Sequence, residues 1–415
     1  MSLLERSKSY FRYMIFVLML VQILDSFSTI FPGAIPTAIA NEFLPGLDQN
    51  TVDSILAFAS GIVSIGLYFL FFSQYLADKI GRKLMLSITV FGMAIACLGM
   101  FLSPNFVTYY IFVFVLNFFF SSDIWLIYVN EETKPNKRAF YSNIILIVGL
   151  VGAFVMVITR LFFITETNPN WRAMTIFPML LGFPLTFLIY FTLKETSKYE
   201  QMKQEIGVPK RNFKEDLISI FKTENRKPYL MLLVIAFVRG TSGIYILLFE
   251  KYISQYLPQN QITLIFLATV FMVIIAYLIN GLLADKIGRK PLLYLWSALA
   301  PISVLIWVFA GPQGSFMLVL LGYSLSHIAV WGSLGIVRLI NIELLPTDRR
   351  GTGVGFRNLI GSIGGTLGLL LSSVIILFIG LGPTFIIFVM ANFIVIPLTY
   401  FYIKETKGVE LAAIK

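Results

Sequence analysis

The sequence predicts an all-α integral membrane protein with about twelve transmembrane helices in two pseudo-symmetric six-helix bundles. Three observations predict this fold class: a very apolar composition, a series of long apolar runs, and motifs that occur once in each half. The chain of 415 residues is 57% hydrophobic and 13% charged, with a mean hydropathy of +0.82. Soluble domains carry about 25% charged residues, so this composition indicates a protein that lies in lipid.

The apolar runs are each roughly 20 residues long, which is enough for a helix to cross ~30 Å of hydrocarbon. Since lipid cannot satisfy open backbone groups, each run is expected to be helical. The predicted spans lie near residues 13–39, 52–77, 84–102, 106–130, 140–164, 172–193, 229–254, 262–284, 291–310, 315–342, 352–379 and 384–403.

The net charge of +10 is distributed unevenly along the chain. With an even number of spans, both termini and every second loop lie on one side, and that side holds 26 of the 32 Lys and Arg residues. The opposite loops hold only Arg172 and Lys251. The positive-inside rule therefore places both termini in the cytoplasm of a multi-pass cell-membrane protein. The basic charge reflects topology, and no nucleic-acid partner is expected.

Three motifs occupy matching places in the two halves. The octapeptide LADKIGRK stands at 76–83 and again at 283–290, 207 positions further along. The motif E-x-x-P-x-x-R begins at Glu132 and Glu343, and K-E-T begins at Lys194 and Lys404. The repeats predict a parallel duplication of one six-helix unit.

The predicted organisation has three parts: an N-terminal six-helix bundle at 1–193, a cytoplasmic linker at 194–228 and a C-terminal six-helix bundle at 229–415. Within the linker, NFKEDLISIFK is expected to form a short amphipathic helix at the membrane surface. In the eleventh predicted span, Gly361-x-x-x-Gly365 and Gly364-x-x-x-Gly368 have the spacing that allows another helix to approach closely.

The stretch GLLADKIGRK at 281–290 resembles the loop between the eighth and ninth helices of the major facilitator superfamily. The E-x-x-P-x-x-R and K-E-T motifs resemble those of its sugar-porter and organic-acid-symporter branches. The resemblance covers essentially the whole chain, and it implies a secondary transporter that works by alternating access. Such a transporter is expected to be a monomer and to be in contact with membrane lipid.

A short Gly-Arg-Lys loop forces a tight reversal, and its cations lie near anionic headgroups and helix C-terminal ends. The loops are either topology anchors alone or, as the resemblance implies, also a gate that closes the cytoplasmic side. The residues assigned to this gate are Asp78, Gly81, Arg82, Lys83, Glu132 and Arg138 in the first half, and Asp285, Gly288, Arg289, Lys290, Glu343, Arg349 and Arg357 in the second.

Asp25 lies near the middle of the first predicted span. The surrounding LDSFSTIFPGAIP resembles the first-helix signature of proton symporters of aromatic acids, except that Ser28 replaces a second carboxylate. Because an ionised group at mid-bilayer costs about 2.5–3.5 kcal/mol, Asp25 needs a function or a partner. The resemblance implies a proton-coupling residue, and the alternative is a fixed ion pair.

Arg239 lies near the middle of the seventh span, in RGTSGIY. This stretch resembles the QQ-x-S-G-I-N of sugar porters, but Arg239 and Gly240 replace both glutamines and Tyr245 replaces the asparagine. An arginine fork fits a carboxylate far better than a hydroxyl, so the substitutions favour a small organic anion over a sugar. The alternative is that a carboxylate of the protein neutralises Arg239.

Three further polar or aromatic residues are candidates for substrate binding. His327 and Trp331 are one turn apart on the tenth helix and share a face. Asp123 lies in the fourth span beside Ser121 and Ser122. For each, helix packing is the alternative to substrate contact.

The expected function is therefore transport of a small polar metabolite, an organic anion with a proton, or alternatively a neutral sugar or polyol, with efflux as a third possibility. The single cysteine, Cys97, excludes an intrachain disulfide. The sequence contains no clustered catalytic set, metal-ligand spacing or nucleotide-binding loop, so an enzyme is not expected, and neither is a cofactor or a metal.

Overall fold

The structure, a computed structural model, describes residues 7–120, 124–134, 137–167, 169–205, 213–346 and 350–408. Within these ranges the chain is almost entirely helical, with one isolated β-bridge between Ile164 and Pro169. The α-helices are α1 (Lys8–Ile30), α2 (Pro36–Phe43), α3 (Gln49–Ser64), α4 (Phe69–Ile80), α5 (Arg82–Phe101), α6 (Phe106–Phe118), α7 (Ile124–Glu132), α8 (Arg138–Phe163), α9 (Trp171–Met174), α10 (Ile176–Thr192), α11 (Ser197–Glu205), α12 (Phe213–Ile220), α13 (Arg226–Ser242), α14 (Ile244–Ile253), α15 (Gln259–Ile287), α16 (Arg289–Ala310), α17 (Phe316–Leu344), α18 (Arg350–Ile379), α19 (Leu381–Met390) and α20 (Asn392–Tyr402).

Eleven helical segments of the described chain are long and apolar enough to cross a membrane. The fourth predicted span is represented by the shorter apolar helix α6 and by α7, on either side of residues 121–123, which lie outside the described residues. The predicted fold class is confirmed. Several spans are built from two consecutive helices, as in α13 with α14 and α19 with α20.

The chain forms two compact units, residues 1–39 with 65–210 and residues 40–64 with 211–415. The first half of the second predicted span, α3, thus packs with the second unit. The predicted bundle boundaries at 193 and 229 are not tested by this division and stay a prediction.

Glycines allow close helix packing within each unit. In the second unit, a Cβ added at Gly364 or Gly368 would overlap the backbone of α13 at Phe237 or Thr241. In the first, a Cβ at Gly152 would overlap the carbonyl of Ile23 on α1. The predicted close packing is thus confirmed at Gly364 and Gly368, whereas a Cβ at Gly361 or Gly365 would make only ordinary contacts.

The predicted amphipathic helix of the linker is α12. Its last residue, Ile220, is fully buried in a small apolar cluster with Tyr229, Leu233 and Leu345. The helix is therefore anchored to the second unit by an apolar contact.

Candidate functional site

The three motifs of the second half meet in one group of side chains, here called the C-terminal loop cluster: Gly288, Arg289, Glu343, Glu405 and Thr406. Arg289 opens α16, and its guanidinium binds the Glu343 carboxylate through Nε at 3.2 Å and Nη2 at 2.7 Å. The same guanidinium donates to the carbonyl of Ala284, 2.9 Å away, at the end of α15. Arg289 thus ties together three helix ends, and it caps the negative end of the preceding helix.

Glu405 completes the C-terminal loop cluster by capping the start of α16. Its carboxylate accepts hydrogen bonds from the backbone N–H groups of Arg289 at 2.9 Å and Lys290 at 3.0 Å. Thr406 then donates to Glu343 at 2.5 Å. A carboxylate at a helix N-terminus is favourable because it meets unpaired N–H groups and the positive end of the dipole.

Gly288 is required by this geometry for two reasons. Its φ angle of +102° lies in the region that favours glycine. In addition, a Cβ at this position would overlap the carboxylate of Glu405. The repeated Gly-Arg-Lys sequence therefore forms a chain reversal, and a capping carboxylate lies close to the backbone of that reversal.

The first half contains the equivalent N-terminal loop cluster: Gly81, Arg82, Glu131, Glu195 and Thr196. Arg82 pairs with Glu131 at 3.2 Å and donates to the carbonyl of Ala77 at 3.3 Å. Glu195 accepts from the N–H groups of Arg82 at 3.1 Å and of Lys83 at 3.2 Å. Gly81 has a φ angle of +103°. The two units thus repeat one local structure as well as one sequence.

The two capping carboxylates differ in electrostatics. Burial raises the pKa of Glu195 above its ordinary value of 4.5, although backbone N–H groups oppose the shift. Burial acts in the same direction on Glu405, but N–H groups of Arg289, Lys290, Thr406 and Lys407 outweigh it and lower the pKa of this carboxyl. Glu195 is therefore the more easily protonated of the two.

The acidic partner of Arg82 differs from the one that the motif indicates. Aligning E-x-x-P-x-x-R between the halves equates Glu132 with Glu343, but Glu131 occupies the structural place of Glu343. The Glu132 carboxylate instead accepts from the Ser197 hydroxyl at 2.8 Å and from the Ser197 N–H. The motif alignment is thus displaced by one residue in the first half.

The other predicted gate residues are placed as follows. Asp285, which is exposed, pairs with Arg289 at 2.8 Å, as expected for a carboxylate beside the loop cations. Arg138 donates to the carbonyl of Thr133 at 3.1 Å. Arg357 is buried and donates to Asn358 at 2.5 Å. The side chain of Asp78 and the whole of Arg349 lie outside the described residues.

The two loop lysines lie over aromatic rings. Lys83 has its ammonium 5.6 Å from the centre of the Tyr190 ring. Lys290 has its ammonium 5.8 Å from the Tyr400 ring, and it also donates to the Tyr400 carbonyl at 3.2 Å. These contacts fix each cation beside the last turn of a span.

Arg239 lies on α13 within the second unit and is only partly exposed. Its Nη2 donates to the backbone carbonyl of Val330 at 3.3 Å, while its Nε is buried and has no hydrogen-bond partner among the described residues. No described carboxylate forms an ion pair with it. A guanidinium has five donors, so this one has capacity for an anionic ligand.

The other substrate-binding candidates on the second unit differ in surroundings. Tyr245 is almost fully buried, with its ring 6.3 Å from that of Trp307, which is a packing environment. His327 and Trp331 are both partly exposed. A ring nitrogen of His327 lies 3.2 Å from the Tyr323 carbonyl of the preceding turn. The two partly exposed side chains retain a surface for a ligand, whereas Tyr245 has little.

Asp25 is buried on α1 in the first unit. The side-chain amide of Gln22 donates a hydrogen bond to its carboxylate at 3.2 Å. The remaining candidate, Asp123, lies outside the described residues. Among the residues that the structure describes, no three His, Cys, Asp or Glu side chains are grouped to hold a metal ion.

Two buried charged residues were not predicted as a pair. Lys251, assigned from the sequence to a loop, is buried on α14 and lies 3.9 Å from the carboxylate of Asp53 on α3. The only available signal was that Lys251 is one of two cations on the side opposite the basic loops.

Comparison with known proteins gives a consistent result. The family model of the Major Facilitator Superfamily matches residues 15–259 and 230–414. A Bacillus subtilis protein named as a metabolite transport protein, YwtG, is 25% identical over 373 residues, which are 82% of this chain and 81% of that protein. The proline/betaine transporter of Escherichia coli K12 is 26% identical over 294 residues, covering 64% of this chain and 58% of the transporter.

The fold also matches solved structures. A crystal structure of a D-xylose-proton symporter superposes with a TM-score of 0.76 at 15% identity, covering 96% of this chain and 99% of the symporter. At this identity the match shows the fold alone. Together with the apolar helices and the repeated loop clusters, the family match establishes that the chain is a multi-pass membrane transporter that belongs to the major facilitator superfamily.

Proposed function

We propose that the protein is a secondary active transporter that imports a small organic anion across the cell membrane by alternating access, with a proton as the coupled ion. Both termini are proposed to face the cytoplasm, and the transporter to act as a monomer. The observation that most directly supports an anionic substrate is the set of contacts that the Arg239 side chain makes. Its side chain is deep in a membrane span, and its contacts among the described residues include a carbonyl but no carboxylate.

The physical reason is the cost of an unmatched charge. An ionised group in a low-dielectric region is retained only if it is paired or hydrogen-bonded. A substrate carboxylate would satisfy the free donors of Arg239 in the bidentate geometry that guanidinium prefers. The partly exposed rings of His327 and Trp331 lie on α17, the helix whose Val330 carbonyl holds the guanidinium.

A thermal-shift experiment with purified transporter tests the substrate class. Small monocarboxylates and dicarboxylates are compared with neutral sugars as stabilising ligands. A carboxylate is expected to raise the melting temperature of the native protein but not of the Arg239→Gln variant. If only sugars stabilised the transporter, and did so equally in the native protein and the Arg239→Gln variant, an anionic substrate would be excluded.

Proton coupling is assigned to Asp25. The carboxylate is buried in the first unit and accepts a hydrogen bond from the Gln22 amide, so gain or loss of a proton there changes the charge of a buried site. In proteoliposomes, Asp25→Asn should abolish accumulation driven by a proton gradient while leaving exchange of internal for external substrate. Undiminished accumulation would remove Asp25 from this role.

The two loop clusters are proposed to be the cytoplasmic gate. They join helix ends through nearly buried ion pairs, and these must be rearranged if the helices move apart. Asp285→Asn, which removes the exposed ion pair with Arg289 but keeps Glu343 as a partner of that guanidinium, should slow transport while surface expression stays normal, and so should Asp78→Asn at the matching motif position. Unchanged uptake by both variants would leave the loops as topology anchors alone.

A neutral sugar is the second candidate. The Ser242-Gly243-Ile244 core that resembles sugar porters is retained between α13 and α14, and the fold matches that of a D-xylose-proton symporter. Sugar binding that survives Arg239→Gln would favour this candidate over the anion.

A further inference from the structure

The second predicted span is not a continuous α-helix. α3 ends at Ser64, a 3-10 segment follows at Ile65–Tyr68, and α4 begins at Phe69. The border between the two compact units falls at the same place, since residue 64 packs with the second unit and residue 65 with the first. A 3-10 stretch in the middle of a helix often marks a hinge.

α3 is fixed to α18 by polar contacts along its length. Near its start, the Ser54 hydroxyl donates to the Ser373 carbonyl at 2.7 Å. At its end, the hydroxyls of Ser64 and Thr366 are 2.6 Å apart, and both residues are buried. Between these points Gly61 faces Leu370, which a Cβ would approach to 2.9 Å. α3 is therefore joined to α18 by a hydrogen bond near each of its ends and by a close approach at Gly61 between them.

A buried ion pair fastens the start of α3 to α14. Asp53 is 1% exposed and Lys251 6% exposed, and their charged atoms are 3.9 Å apart. The side-chain amide of Gln49 donates to both oxygens of Asp53, at 2.9 and 3.0 Å. Removing one partner of such a pair leaves an uncompensated buried charge, which is far more costly than losing a surface salt bridge. The pair therefore strongly favours the position of α3 seen here.

We propose that the Asp53–Lys251 ion pair is a latch that holds α3 in the second unit, and that the 3-10 segment Ile65–Tyr68 is the hinge about which α3 leaves it. The inference rests on the proposed transport function only in assigning this movement to the transport cycle. The latch lies at the span end opposite to the loop clusters, which the charge distribution predicts to be extracellular.

Cysteine labelling tests the latch without a known substrate. In a Cys97→Ala background, which removes the only native cysteine, Ser64→Cys reports whether α3 is docked. An impermeant maleimide is applied to right-side-out membrane vesicles. Adding Lys251→Met should raise the labelling rate at least about fivefold, as should Asp53→Asn. Exchanging the charges, with Asp53→Lys and Lys251→Asp together, should restore the slow rate. Lys222→Met, at an exposed lysine of the linker, is the matched control.

A second measurement guards against misfolded variants. In the same background, Ser64→Cys with Thr366→Cys should form a disulfide rapidly under mild oxidation, and Lys251→Met should slow its formation. Labelling and cross-linking in the Lys251→Met protein that equal those of the Lys222→Met control would overturn the latch. Because neither readout needs transport, this result and a failure of anion uptake are distinguishable.

Discussion

Arg82 pairs with Glu131 at 3.2 Å, although the repeated motif begins one residue later, at Glu132. In the other half, Arg289 pairs with Glu343, the first residue of the motif. Both ion pairs are nearly buried, with side-chain exposures of 6% and 9% in the first and 9% and 11% in the second. In the first half, the position of α7 therefore makes Glu131 the ion-pair partner of Arg82, although the motif begins at Glu132.

Glu131→Gln should destabilise the protein more than Glu132→Gln. Removing the charge of Glu131 leaves Arg82 nearly buried without this partner, at a cost of about 3 kcal/mol. Glu132→Gln weakens hydrogen bonds to Ser197 and should cost about 1 kcal/mol. Thermal unfolding of the two purified variants in one detergent measures the difference. Equal losses, or a larger loss for Glu132→Gln, would show that the motif alignment was right.

Gly288→Ala should lower the melting temperature clearly. The positive φ angle alone costs an alanine about 1–2 kcal/mol, and the methyl group would also displace Glu405 from the start of α16. Gly281→Ala is the matched control on the preceding helix, because nothing lies within 4 Å of a Cβ there. That control should be neutral or stabilise by up to about 1 kcal/mol. A Gly288→Ala protein as stable as the control would contradict the capping geometry.

The two capping carboxylates should respond differently to pH. Because the pKa of Glu405 is lowered, its stabilisation is present above 4.5 and is lost as the pH falls through the lowered value. Because the pKa of Glu195 is raised, its contribution is greatest below 4.5 and is lost as the pH rises through the raised value.

Glutamine variants measure this difference. At pH 7, Glu405→Gln should lower the melting temperature more than Glu195→Gln. The difference between the melting temperatures of the two variants should decrease as the pH falls below 4.5 towards the lowered pKa of Glu405. Melting temperatures of the native protein and both variants between pH 3.5 and 7 provide the test. Parallel pH profiles for the two variants would count against the assigned electrostatics.

The glycines of α18 should not tolerate substitution equally. A Cβ at Gly364 would overlap the Phe237 carbonyl, whereas a Cβ at Gly361 meets its nearest atom at 3.5 Å. Gly364→Ala should therefore push α18 away from α13 and cost about 1–3 kcal/mol. Gly361→Ala, one turn earlier, should be tolerated. Similar unfolding temperatures for the two variants would mean that α13 and α18 are not packed this closely.

The fold class and the meeting of the repeated motifs could be predicted because both depend on local signals. Apolar run length sets the spans, and motifs at the same ends of successive helices come together when helices alternate in direction. The roles of Gly81 and Gly288 could also be predicted, because each lies in a short reversal that needs a positive φ angle.

Contacts that depend on helix rotation or on distant partners could not be predicted. The choice of Glu131 over Glu132 is fixed by the rotation of α7, which a motif does not reveal. The sequence places Lys251 only among the loop cations of the side opposite the basic loops. Its buried partner, Asp53, is almost 200 positions earlier and joins it only through tertiary packing.

Uptake into proteoliposomes tests the anion assignment most directly. Radiolabelled small carboxylates and neutral sugars are supplied outside, with an inward proton gradient. We expect the native protein to accumulate a carboxylate and Arg239→Gln to reduce that uptake by about 100-fold, because the substrate charge loses its partner. Arg226→Gln, at an exposed arginine on the same helix, should transport normally. Accumulation of sugars only, at the same rate with and without Arg239, would contradict the assignment.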